Sequence, residues 1–76
     1  MKVINSKELH AIVSDLEDIK SRLETVKEEA QTYFDERSEK WQEGEAGQEF
    51  EERLGRIEEN IDSLYTLINE IDETAD

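Results

Sequence analysis

The sequence predicts an all-α protein, an antiparallel two-helix hairpin of coiled-coil type that pairs with a second copy into a four-helix bundle. Three features of the 76 residues point there: two apolar runs at heptad spacing, a glycine-bearing interruption between them, and no proline. The first run reads Leu9, Ile12, Leu16, Ile19, Leu23, Val26, Ala30, Tyr33, alternating steps of three and four. The second reads Phe50, Leu54, Ile57, Ile61, Leu64, Ile68, Ile71, Ala75. A disordered polar chain would not keep two such registers, although 41% charged residues and a mean hydropathy of −0.90 lie near the disordered range.

The first helix is expected from about residue 6 to 43. Asn5 has the short polar side chain of an N-cap, Glu8 stands at N3 to reach back, and Ile4 with Leu9 occupy the N′ and N4 positions of a hydrophobic staple. Near its end the strict seam positions become Arg37 and Lys40, so the apolar line steps sideways to Phe34, Ser38 and Trp41. Such a stutter relaxes the supercoil. Phe34, Trp41 and Phe50 then form an aromatic tip, read either as a plug closing the hairpin or as a hot spot for a partner.

The turn is placed at residues 44 to 47, where Gly44 and Gly47 permit a left-handed helix end. One continuous helix is the competing arrangement, and the glycines argue against it. The second helix is expected from about 48 to 74; Gly55 within it either allows a close approach or is incidental. Folding about residues 44 to 47 sets Trp41 near Phe50, Tyr33 near Ile57, Val26 near Leu64 and Ile19 near Ile71, with Glu36 approaching Arg53 and Lys20 approaching Asp72. Asp18–Arg22, Glu36–Lys40, Glu49–Arg53 and Glu52–Arg56 have the favourable acid-first i,i+4 order.

At 1.5 Å per residue these helices would be roughly 57 and 40 Å long, so the start of the first one overhangs. The flanks of the stripe, Val13, Phe34, Tyr65 and Leu67, would stay wet. A domain this small usually needs a disulfide, a metal or oligomerisation, and the chain has no cysteine. A homodimer is therefore expected, through Ile4, Leu9, Ile12, Val13 and Leu67, unless a partner protein covers the same surface.

The charge has a position. Residues 1 to 38 hold 9 acids and 6 bases, for −3, whereas residues 39 to 76 hold 13 acids and 3 bases, for −10 of the total −13. An acidic ridge follows on the second helix: Glu51, Glu52, Glu58, Glu59, Asp62, Glu70, Asp72 and Glu73. The acidity counts against direct binding to nucleic acid or an anionic membrane. A line of carboxylates suits a basic protein surface instead, with long-range steering. The plainer reading is a face that only keeps the protein in solution.

Chemistry is sparse. His10 is the only histidine and is two residues from Glu8, so it forms no Glu-x-x-His pair; with no cysteine, neither a metal centre nor a Ser-His-Asp arrangement has components. Adjacent carboxylates such as Glu28 and Glu29 lie on open helix faces, the wrong setting for a raised pKa. No catalytic, cofactor-binding or metal site is expected, and a reducing cytoplasm is the default compartment.

The segment Tyr33 to Gly44, YFDERSEKWQEG, continuing through Glu45, Ala46 and Gly47 into a Glu-rich helix, resembles a pattern in small acidic helical-hairpin proteins predicted from phage, plasmid and bacterial genomes. It covers roughly residues 30 to 60 and rests on the aromatic-acid-Ser-x-x-Trp-Gln spacing. The resemblance implies the hairpin and a mobile-element origin, in host cytoplasm if phage-encoded, but assigns no residue a role. Mobile elements encode small acidic proteins that block host enzymes, some by imitating DNA. Two functions remain in competition: an interaction protein using its ridge, and a structural or assembly module.

Overall fold

A computed structural model describes residues 3–75; Met1, Lys2 and Asp76 of the expected 1–76 domain lie outside the described residues. The described chain has helices and no strand: α1 (Ser6–Asp35), α2 (Glu39–Glu43) and α3 (Glu45–Ala75). The start of α1 is written locally. Asn5 Oδ1 accepts the Glu8 N–H at 3.0 Å, as its N-cap position requires.

The end of α1 departs from the expected helix over 6–43. It stops at Asp35, eight residues early, because Ser38 offers a second start. Ser38 is extended (φ −65°, ψ 155°) and its hydroxyl accepts the Trp41 N–H at 3.3 Å, capping the five-residue α2. The freed carbonyls at the end of α1 are met by Gln42, whose Nε2 donates to Phe34 O at 2.8 Å and Arg37 O at 3.1 Å. Gln42→Ala should therefore cost about 1 to 2 kcal/mol, read from urea unfolding, by taking the Gln42 donor from Arg37 O and leaving Phe34 O with only the Arg37 N–H at 3.1 Å.

The glycines do not turn the chain by a left-handed residue. No described residue has positive φ, and Gly44 is extended (φ −77°, ψ 179°) between α2 and α3. The expected turn at 44–47 thus moves to residues 36–44, and Gly47 lies within the first turns of α3. Its need for glycine is one of space: a Cβ there would overlap the carbonyl oxygens of Trp41 and Gln42. Gly55 faces open space, so it supports no close approach.

Moving the turn shifts the antiparallel pairing by one heptad. Tyr33 stacks on Phe50 with ring centroids 5.6 Å apart, where Ile57 was expected, and Val26 borders Leu54 and Ile57 instead of Leu64. The expected Glu36–Arg53 and Lys20–Asp72 pairs give way to Lys27–Glu58 at 2.9 Å and His10–Asp72 at 3.8 Å. Of the four anticipated i,i+4 pairs only Glu52–Arg56 forms, at 3.8 Å; Glu36–Lys40 is precluded by the end of α1.

The slip also removes the overhang. α1 has 30 residues and α3 has 31, so they run alongside each other in a rod of 63 × 16 × 12 Å. Val13 and Phe34, expected on the wet flanks, are buried with Leu54, Ile68 and Ala75. α1 is rotated so that Val13, Lys20, Lys27 and Phe34, with the central Leu9, Leu16, Leu23 and Ala30, turn toward α3. The radius of gyration, 17.6 Å, exceeds the ~11 Å of a compact chain of this length. No helix among the described residues is long and apolar enough to cross a membrane.

Candidate functional site

Three surfaces carry the residues singled out above. The first is the tip. Phe34, Trp41 and Phe50 converge there: Phe34 and Phe50 stack at 6.0 Å, and Trp41 meets them edge-on at 6.0 and 5.9 Å. Tyr33 joins the group, 6.2 Å from Trp41, and the Arg37 guanidinium lies 4.2 Å from the Tyr33 ring centroid. Arg37 Nε is buried without a hydrogen-bond partner, so the ring face is its compensating contact. Phe34 is buried, Trp41 and Phe50 are half-buried, and Tyr33 is exposed.

The second surface is the ridge. Helix geometry sets Glu51, Glu58 and Asp72 on the flank of α3 that faces Lys20, Lys27 and His10, with Glu52, Glu59 and Glu73 on its back. All eight ridge carboxylates are exposed. They do not act as one row, however. Glu58, Asp72 and Glu52 have the basic neighbours already described, and Glu70 borders the groove made by Leu9, Leu67, Ile71 and Thr74 on the other flank. Glu51, Glu59, Asp62 and Glu73 remain as exposed carboxylates with no ion pair among the described residues.

The third surface is apolar. Of the residues expected to mediate self-association, Val13 is withdrawn into the hairpin, Leu9 is half-buried, and Ile4, Ile12 and Leu67 are exposed. Ile19, Val26 and Tyr33 are expected in the seam with Ile12. They lie outside it, as an exposed column along α1. The signal for this was present: residues 12, 19, 26, 33 and residues 13, 20, 27, 34 flank the same central column, and only one set can face α3.

His10 is exposed and 3.8 Å from Asp72. Among the described residues, no three His, Asp or Glu side chains are grouped as a metal ion would need. No protein-family model, curated protein or solved structure matches the chain.

Proposed function

We propose that the protein is a non-enzymatic, homodimeric interaction module of the cytoplasm, whose acidic α3 ridge docks on the basic surface of a nucleic-acid-handling protein. The observation that carries this is the group of exposed carboxylates with no ion pair among the described residues, Glu51, Glu59, Asp62 and Glu73, on a helix of 31 residues. The helix is already ordered, so binding costs little conformational entropy, and its field steers a basic partner at long range. Glu51 and Glu52 recur as Glu58 and Glu59 one heptad on, so the ridge holds about one charge per 5 Å. Duplex DNA holds about one per 1.7 Å. The ridge therefore imitates a phosphate backbone in sign more than in density, and affinity needs apolar contacts beside it. The resemblance to small acidic proteins of phage and plasmids fits an inhibitor of a host enzyme.

The structural or assembly reading is favoured by a different observation. Two ridge carboxylates, Glu52 and Glu58, are engaged in ion pairs and Asp72 lies 3.8 Å from His10, while α1 exposes an apolar column. In that reading the acids only keep the assembly in solution.

Pull-down from host lysate separates the two. The ridge reading expects capture of a nucleic-acid enzyme that is released by duplex DNA and by roughly 0.5 M salt. Combining Glu51→Gln, Glu59→Gln, Asp62→Asn and Glu73→Gln touches no ion pair. It should leave the melting curve in place and weaken that capture about tenfold or more. Undiminished capture by this variant would exclude the ridge as the contact surface.

A further inference from the structure

We propose that the exposed column Ile12, Ile19, Val26 and Tyr33 docks a second copy of this chain, with the two-fold axis parallel to the helices and both tips at the same end. This rests on the homodimer of the proposed function and assigns its surface and its orientation. α1 has two columns able to face α3, and the hairpin uses the less apolar one. It packs Val13, Lys20, Lys27 and Phe34 inward and leaves Ile12, Ile19, Val26 and Tyr33 at 36%, 46%, 51% and 47% exposure. The lysines manage this because each head is held at the rim, Lys27 by Glu58 at 2.9 Å and Lys20 beside Glu24 at 3.6 Å.

The surface area calls for a partner. The chain exposes 6177 Å², whereas a compact monomer of its mass exposes about 4,800 Å². The surplus of about 1,300 Å² exceeds the ~800 Å² that each side contributes to a standard interface.

Charge says which partner. Two chains of −13 can meet only where carboxylates are scarce. On the side of the apolar column, the α3 positions beside the seam read Arg53, Asn60, Leu67, Thr74, with Glu49 and Glu70 at the outer edge of that flank, whereas the matching positions of the opposite flank hold Glu51, Glu58 and Asp72. Orientation follows from the outer column of α1, Glu8, Asp15, Arg22, Glu29 and Glu36. If α1 met α1 in antiparallel register, Ile19 against Val26, then Asp15 would face Glu29 and Arg22 would face Arg22. With α1 of each copy lying on α3 of the other, the pairing level within the hairpin carries across: Glu29 of one copy comes level with Arg53 and Arg56 of the other and Arg22 meets no arginine, which partly offsets Asp15 level with Glu70 and Glu36 level with Glu49. Each helix then has antiparallel neighbours, as in a four-helix bundle.

Sedimentation equilibrium of the intact chain at micromolar concentration should give twice the 8.9 kDa monomer mass. The variant Ile19→Glu with Val26→Glu should sediment as a monomer of unchanged helicity, while Tyr65→Glu on the opposite flank should stay dimeric. A monomeric wild type would overturn the dimer reading itself, including the case in which an unrelated protein covers the column. A dimeric Ile19→Glu/Val26→Glu variant would leave the dimer standing and reject this face. Orientation is read without altering the face, from a spin label on Glu39→Cys at the tip. The two labels should be far closer than the 63 Å length of the rod, and a separation near that length would reject the parallel axis.

Discussion

Replacing Phe34 by Ala should unfold most of the protein at room temperature. The ring is buried at the end of α1, stacked 6.0 Å from Phe50 and edge-on to Trp41, and Ala would leave a cavity under the tip. Truncations of this kind cost about 3 to 5 kcal/mol. A core of this size rarely supplies more than about 3 to 5 kcal/mol in all. Far-UV circular dichroism should show the loss of helix, and the fluorescence of Trp41, the only tryptophan, should shift to that of an exposed indole. Trp41→Ala should follow in the same direction, since Trp41 touches Tyr33, Phe34 and Phe50. Helicity retained in both variants would mean that the rings are held out for a partner instead of closing the hairpin.

The tip also governs how much of the fold could be read from the chain. Helix content and the Asn5 cap depend on residues within one turn of each other, and both are plain in the sequence. Register does not. A heptad seam packs almost as well when slipped by seven residues, since Ile57 and Leu64 present similar surfaces to Val26. Only the turn resolves that degeneracy, and the glycines drew the turn to the wrong place. The better signal was Ser38, a hydroxyl in front of Glu39 at the point where Arg37 and Lys40 interrupt the apolar line, together with Gln42 three residues into the next helix. From that shift follow the lost overhang and the changed ion pairs.

The candidate surfaces were legible to different degrees for the same reason. Exposure of Glu52, Glu59 and Glu73 follows from position along α3 alone, because any residue on the back of that helix is in solvent in every register. The pairing of Glu58 does not follow, since Lys27 reaches it only after the heptad slip. The apolar column was the least legible, because its exposure depends on the rotation of α1. That rotation leaves the ridge, apart from Glu70, and the column on different sides of the hairpin.

Two glycine substitutions should move stability in opposite directions, and together they test the turn. Gly55→Ala gains helix propensity at a site where the new methyl meets nothing, so it should stabilise by about 0.5 to 1 kcal/mol. Gly47→Ala gains the same propensity but drives its Cβ into the backbone carbonyls of Trp41 and Gln42. Backbone cannot yield as a flexible side chain does. α2 would have to lift from α3, straining the bonds from Gln42 to Phe34 O and Arg37 O and separating Trp41 from Phe50. Overpacking of this kind outweighs the propensity gain, for a net loss of about 2 kcal/mol. For a domain of this length each kcal/mol moves Tm by roughly 4 to 8 °C, so thermal melts of the two variants should diverge clearly. If the chain instead ran as one helix through residue 43 and reversed at 44–47, nothing would crowd residue 47. A neutral or stabilising Gly47→Ala would then return the turn to the glycines and the pairing to the unslipped register.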